Sequence, residues 1–242
     1  MSSKASRDAR AERAALALRD QQRAERRRSV LMIGGVVLAM VLIVTAGFLV
    51  NRARDTSNDV SAPAAGSGDY GVTVGDRTAP RTVVVYEDFL CPYCGELEKA
   101  THEELASLAD AGKVYVEYRP FDLLRTDYSV AAASAFKVVL DASGPEVAKK
   151  FHDELYADQP DESGPYPDAD WLVEKAVAAG ATESDVRPGI EDDSQKAWVE
   201  KATKAADAAG VTGTPTVLLD GKRFTDGTTI DDLATNLLAQ LK

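Results

Sequence analysis

Apolar positions along this chain follow two different patterns. From Val30 to Val50, twenty-one residues pass without a charge (VLMIGGVVLAMVLIVTAGFLV). As a helix rising about 1.5 Å per residue, that run covers about 30 Å, the hydrocarbon thickness of a bilayer. It also lacks the polar stripe of a buried helix in a water-soluble protein. From Tyr70 onward the apolar residues recur at strand and helix spacings instead. Thr82–Tyr86 (TVVVY) reads as a buried strand. A helical stretch follows Cys91-Pro92 to about Ala111, with Leu97, Leu105 and Leu108 on one face and Gly112 as its stop. Lys113–Phe121 (KVYVEYRPF) alternates like a second strand, and the short joints predict a parallel βαβ unit.

From about 127 to 209 the chain is Ala-rich and helical in pattern. Gly144-Pro145, the Gln159–Pro167 stretch and Gly180 punctuate it, with Thr182 and Asp185 as a start signal and Gly210 as a stop. Thr216–Leu219 is a further strand, Asp220-Gly221 a tight turn and Arg223-Phe224 a short return strand. Ile230–Leu241 closes the chain as an amphipathic helix carrying Leu233, Leu237, Leu238 and Leu241. The predicted order over 70–242 is βαβ, a helical insertion, then ββα. Residues 51–69, rich in Ser, Ala, Gly and Asp, read as a flexible tether.

Charge sharpens this division. Residues 1–29 carry nine basic and four acidic side chains, a net +5, whereas everything beyond the apolar run carries nineteen basic and thirty-five acidic, a net −16. A basic flank before an uncharged run predicts a cytoplasmic tail over 1–29 and a transmembrane helix over 30–50, with the bulk of the chain extracytoplasmic. The run exceeds the 7–15 residues typical of a cleavable signal, and Phe48, Leu49 and Val50 follow the small Ala46-Gly47 pair, so it reads as an uncleaved signal anchor. The net charge of −11 weighs against a nucleic-acid partner. Two Cys and two His exclude a disulfide-dense scaffold and make a poor zinc domain, so no metal is expected. His102 and His152 read as helix-surface positions, and Trp171 and Trp198 as packing residues of the insertion.

Those two cysteines are three residues apart, directly after a strand and at the opening of a helix. Cys91-Pro92-Tyr93-Cys94 can therefore close a disulfide with little backbone motion. Pro92 suits the first helical position, which leaves Cys91 at the cap with free amides and the positive helix end aimed at its sulfur. That setting favours thiolate. A fall in pKa from about 8.5 to about 4.5 would favour the dithiol at pH 7 by roughly 3.4 kcal/mol, or about 75 mV towards a stronger oxidant. An inert structural disulfide is the poorer reading, since so small a loop gains little from closure.

Asp88-Phe89-Leu90-Cys91-Pro92-Tyr93-Cys94, Tyr118-Arg119-Pro120-Phe121 and Gly210-Val211-Thr212-Gly213-Thr214-Pro215-Thr216 together resemble the DsbA-like branch of the thioredoxin superfamily, over about 70–242. The resemblance implies a thioredoxin fold with an inserted helical subdomain, preceded here by the N-terminal transmembrane helix. It implies Cys91 as the exposed nucleophile and Cys94 as the buried resolving thiol of a redox-active disulfide. Pro215 would be the cis-proline facing that pair, and Thr214 the residue whose backbone meets a substrate strand. Leu90 stands where thioredoxin proper has Trp, and Tyr93 where the best-known DsbA proteins have His. Val85 stands where those proteins carry a buried acid, which leaves Glu87 or Asp88 for proton transfer; solvated strand-end carboxylates are the equal alternative for both.

The activity implied is oxidation of exported proteins with free thiols by a membrane-anchored, monomeric donor that needs no cofactor. A quinone-linked membrane oxidase of the DsbB or vitamin-K-epoxide-reductase type would reoxidise it. An isomerase or reductase of the same superfamily is the first alternative. A non-enzymatic, membrane-tethered peptide-binding module is the second.

Overall fold

A computed structural model describes residues 69–242. The basic tail, the predicted span over 30–50 and residues 51–68 of the tether lie outside the described residues. Among the described residues, no helix is long and apolar enough to cross a membrane.

The sheet is built from the β-branched runs. Strands β1 (Val72–Val74), β2 (Arg81–Glu87), β3 (Val114–Pro120), β4 (Thr216–Leu219) and β5 (Lys222–Arg223) lie in the order β1-β3-β2-β4-β5. β2 and β3 run parallel, with Val85 beside Tyr118, and helix α1 (Pro92–Asp110) connects them. β1 lies antiparallel to β3, β4 to β2, and β5 to β4. β1 escapes the sequence reading because three residues are too few to show a period. Its place is marked by Gly71 instead, where a Cβ would stand 2.1 Å from the Tyr118 carbonyl oxygen. Only glycine lets the chain approach that closely.

Alternation along β2 buries both of its faces. Val83 and Val85 join Leu97, Leu105 and Leu108 of α1 in the main core. Leu237 and Leu241 of the last helix, α7 (Ile230–Leu241), join the same core. Val84 and Tyr86 face the other way, onto Ala202 and Ala206. Those two alanines belong to α6 (Lys196–Ala208), the last of five helices between β3 and β4. The others are α2 (Asp127–Ser143), α3 (Pro145–Ala157), α4 (Ala169–Ala178) and α5 (Glu183–Glu191). The insertion is therefore no appendage: Phe136, Phe151 and Leu155 complete the main core, and α6 covers the second sheet face. The fold is an α/β thioredoxin fold with a mixed sheet and a helical insertion.

Local signals set the helix ends. The Thr126 hydroxyl accepts from the Ser129 amide at the start of α2, and Asp168 accepts from Trp171 at the start of α4. Thr229 and Asp232 form a reciprocal capping box on α7. Trp198 is half-buried on the core, and its indole donates to the Asp69 carbonyl at 3.0 Å, tying the start of the domain to the insertion.

Because Leu155 is fully buried in the shared core, Leu155→Ala should cost about 2–5 kcal/mol. Urea unfolding would show a lower midpoint with an unchanged slope if α3 and the sheet unfold as one unit.

Candidate active site

Cys91 occupies the N-cap of α1 in extended geometry, and Pro92 takes the first helical position. The amides of Cys94 and Gly95 close onto the Cys91 carbonyl at 3.0 and 3.3 Å, so the motif bends straight from strand end into helix. Both cysteines are free thiols, and both are buried; this corrects the exposed position expected for Cys91, whose sulfur is covered against the Thr214 carbonyl. The Cys91 sulfur contacts the Thr214 carbonyl at 3.5 Å, and the Thr214-Pro215 peptide bond is cis.

The two sulfurs are electrostatically unlike. Cys91 is pulled down from 9.0 to about 6. Its largest cause is the hydrogen bond from the Cys94 thiol; burial opposes this, and the Thr214 hydroxyl and the amides of Cys94 and Tyr93 assist. The helix opening thus contributes, but the partner thiol contributes more than the peptide dipoles alone would suggest. Cys94 is pushed well up, first by burial, then by its hydrogen bond to Cys91, by the Cys91 charge, and more weakly by the Glu87 charge. With the Cys91 thiol at about 6, thiolate formation favours the dithiol at pH 7 by about 1.4 kcal/mol, near 30 mV. That is less than half of what a pKa of about 4.5 would give.

Tyr93 projects into solvent at 59% exposure. It forms one wall of a groove of about 440 Å³ that runs past Thr214 and Pro215 to Phe224, Ile230 and Leu233. A chain lying there passes directly beside the cis peptide.

Asp88 and Glu87 separate sharply in role, and neither is a solvated strand-end carboxylate: both are buried. One Asp88 oxygen accepts from the Leu90 amide at 2.9 Å and the Ser129 hydroxyl at 2.8 Å. The other accepts from the Leu123 and Leu124 amides at 2.9 and 3.0 Å. Four donors hold this carboxylate as an acceptor, and through it the strand end, the loop after β3 and α2 are fastened together. Glu87 instead meets a histidine: His152 Nε2 lies 2.7 Å from Glu87 Oε1.

That histidine corrects the surface position expected for it, because His152 is fully buried. Its other nitrogen lies 2.9 Å from Asp153 and 3.6 Å from Glu98. Burial lowers its pKa, but Glu87 and Glu98 outweigh burial and the Lys149 charge, leaving it at about 9. Burial pushes Glu98 up, against the pull of His152 and Lys149. Asp153 is lowered, since the bond and charge of His152 overcome its burial. Glu98, His152 and Asp153 form a donor set compact enough for a cation. The Lys149 ammonium already pairs with both carboxylates. His102 stays partly exposed, bonded to the Glu98 carbonyl at 3.0 Å.

Gln159 is a site neighbour that the sequence reading did not single out. Its amide donates to the Phe89 and Cys91 carbonyls at 2.9 Å each, across more than sixty residues of chain. Gly95 makes room for it, since a Cβ there would lie 2.4 Å from the Gln159 oxygen. No local pattern announces such a contact.

The sequence model of the family described as thioredoxin matches residues 67–238. Reduced disulfide bond oxidoreductase DsbG from Mycobacterium tuberculosis superposes with a TM-score of 0.62 and 31% identity, covering 76% of this chain and 88% of that one. Oxidised DsbA from the same organism gives 0.60 and 31%, covering 71% and 91%. Among curated sequences, the Na(+)/H(+) antiporter NhaA 3 of Salinispora tropica is 35% identical over 149 residues, which are 62% of this chain but only 21% of that protein. This chain therefore spans about a fifth of the antiporter's length. Probable disulfide bond formation protein D of Bacillus cereus is 25% identical over 79% of this chain and 88% of its own length.

Alkylation of the reduced protein should follow the Cys91 thiolate, with a midpoint near pH 6, while Cys94 stays unreactive at pH 7. Removing the hydroxyl in Thr214→Val should raise that midpoint by about half a unit. The folded thiol titrates below its unfolded value, so its contribution to the stability of the dithiol form is complete above about pH 9 and disappears as pH falls through about 6. Unfolding of the dithiol form at stepped pH would show this slope, and the disulfide form would lack it.

Proposed function

From the premise that the chain belongs to the thioredoxin family and is a DsbA-like disulfide oxidoreductase, we propose that it donates the Cys91–Cys94 disulfide to exported proteins during oxidative folding. The observation that carries this reading is the pairing of an acidified Cys91 thiol with a strongly basic Cys94 thiol beside Thr214-Pro215. A dithiol stabilised as thiolate makes its disulfide the less favoured state, so the pair gives its oxidising equivalents away.

The exchange balances in two steps. A substrate thiolate attacks the Cys91 sulfur, a new S–S bond forms, and the electron pair of the broken bond leaves on Cys94. The substrate's second thiolate then attacks the mixed disulfide and expels Cys91 as its stable thiolate. The substrate leaves oxidised by two electrons and the enzyme remains as dithiol. Attack at Cys91 rather than Cys94 follows from position and leaving order: Cys91 sits at the helix cap against Thr214, which lines the groove, and Cys94 lies inside the first turn. In this reading the Thr214 backbone pairs with the substrate strand, Pro215 keeps that backbone beside the sulfurs, and Glu87 handles the Cys94 proton. Asp88, filled by four donors, holds the loops in place.

Regeneration requires an acceptor for two electrons, and a quinone-linked membrane oxidase supplies one. Residues 30–50 anchor the monomeric enzyme, with its N-terminus in the cytoplasm and its catalytic domain outside. Tethering raises the effective concentration of each partner for the other.

Equilibration with glutathione mixtures measures the decisive quantity. A donor should show a potential well above the roughly −270 mV of thioredoxin, and Cys91→Ser should abolish oxidation of a dithiol peptide. A potential at or below thioredoxin's would replace the donor role with that of a reductase.

A further inference from the structure

Between Glu87, where β2 ends, and Pro92, where α1 begins, the chain belongs to neither element. Phe89, Leu90 and Cys91 are nonetheless buried, so carbonyls there need donors from elsewhere. The insertion provides them. The Tyr156 hydroxyl donates to the Asp88 carbonyl at 3.3 Å, and the Gln159 amide donates to the Phe89 and Cys91 carbonyls at 2.9 Å each. The Cys91 carbonyl also takes the Cys94 and Gly95 amides, so Gln159 ties the insertion to the peptide that opens the helix. Gln159 is itself held in place. Lys175 of α4 pairs with Glu154 at 3.3 Å and with Asp158, the residue before Gln159, while Pro160 after it restricts its backbone. The side chain lies against Gly95 of α1, where an added Cβ would stand 2.4 Å from Gln159 Oε1 and 3.2 Å from its Cδ. The three atoms nearest such a Cβ all belong to Gln159.

The pinned peptide belongs to the residue that carries the cap sulfur. We propose that Gln159 is a positioning residue for Cys91: its amide fixes the turn that sets the sulfur against Thr214 and offsets the negative ends of the carbonyls on either side of Leu90. Two effects follow from the same pair of hydrogen bonds. Without them the turn would lose a tether to the insertion, and the Phe89 and Cys91 carbonyls would present uncompensated negative dipole ends near the thiolate. Both changes disfavour the anion. Gln159 touches no reacting atom and acts only through the backbone it holds. This inference rests on the reading of Cys91 as the sulfur that substrates attack.

The test uses the full-length protein and reads two quantities, the pH midpoint of Cys91 alkylation and the equilibrium constant for oxidising glutathione. Gln159→Met keeps the volume against Gly95 and removes both hydrogen bonds. It should raise the midpoint by about half a unit and lower the equilibrium constant at pH 7 about threefold. Gly95→Ala should produce the same shift with Gln159 still in the chain, because its methyl evicts the amide. In a Gln159→Ala background the space is open. There Gly95→Ala should leave the alkylation midpoint where Gln159→Ala alone places it, and raise the urea midpoint, since alanine is the better helix residue. A Gln159→Met midpoint within about 0.2 unit of wild type overturns the proposal. Shifts of Gly95→Ala and Gln159→Ala that add in the double variant overturn it too, because the two would then act independently. Should Gln159→Met fail to fold, an unshifted Gly95→Ala midpoint overturns it equally. None of these failures touches the donor reading, which stands on the wild-type potential and on Cys91→Ser.

Discussion

The site depends on the electrostatic coupling of two sulfurs in unequal surroundings. Cys94 lies inside the first turn of α1, where a negative charge has no water, and Cys91 lies at the cap, where amides and the Thr214 hydroxyl meet it. The buried thiol keeps its proton and donates it, and the cap sulfur becomes the anion. Each pKa is shifted partly by the other, so one contact both activates the attacking position and makes the opposite sulfur a poor place for charge. Strand, helix and cis-peptide loop serve to hold that contact at the edge of a groove.

Two adjacent carboxylates at the end of β2 show how alternation divides the labour. Successive side chains point to opposite sides of a strand, and Asp88 and Glu87 accordingly meet different neighbours. Asp88 collects four donors from three segments and fastens the loop over the site. Glu87 meets a single charged ring and the wider network behind it. One carboxylate is filled with fixed donors, while the other faces the His152 ring. Burial alone would not have told them apart.

The helical insertion carries more of the molecule than its position in the chain implies. It supplies Phe136, Phe151 and Leu155 to the core, α6 to the second sheet face, Gln159 to the Cys91 carbonyl, and His152 to Glu87. The site and the insertion are thus one packing unit, and the chemistry of the CPYC turn is conditioned by residues some sixty positions away.

Much of this was legible along the chain. The β-branched runs, the CPYC turn after a strand, the Pro at the first helical position and the Thr-Pro before β4 are local features. Local backbone preference and apolar period are written in consecutive residues, so the βαβ and ββα halves and the reactive pair could be read directly. The three-residue β1 is too short to carry a period, and His152, Gln159 and the division between Glu87 and Asp88 arise from pairings distant in sequence. A histidine among polar neighbours on a helix looks solvated until another element closes over it. Burial and charge pairing are properties of what comes to surround a side chain, and only the packed fold decides them.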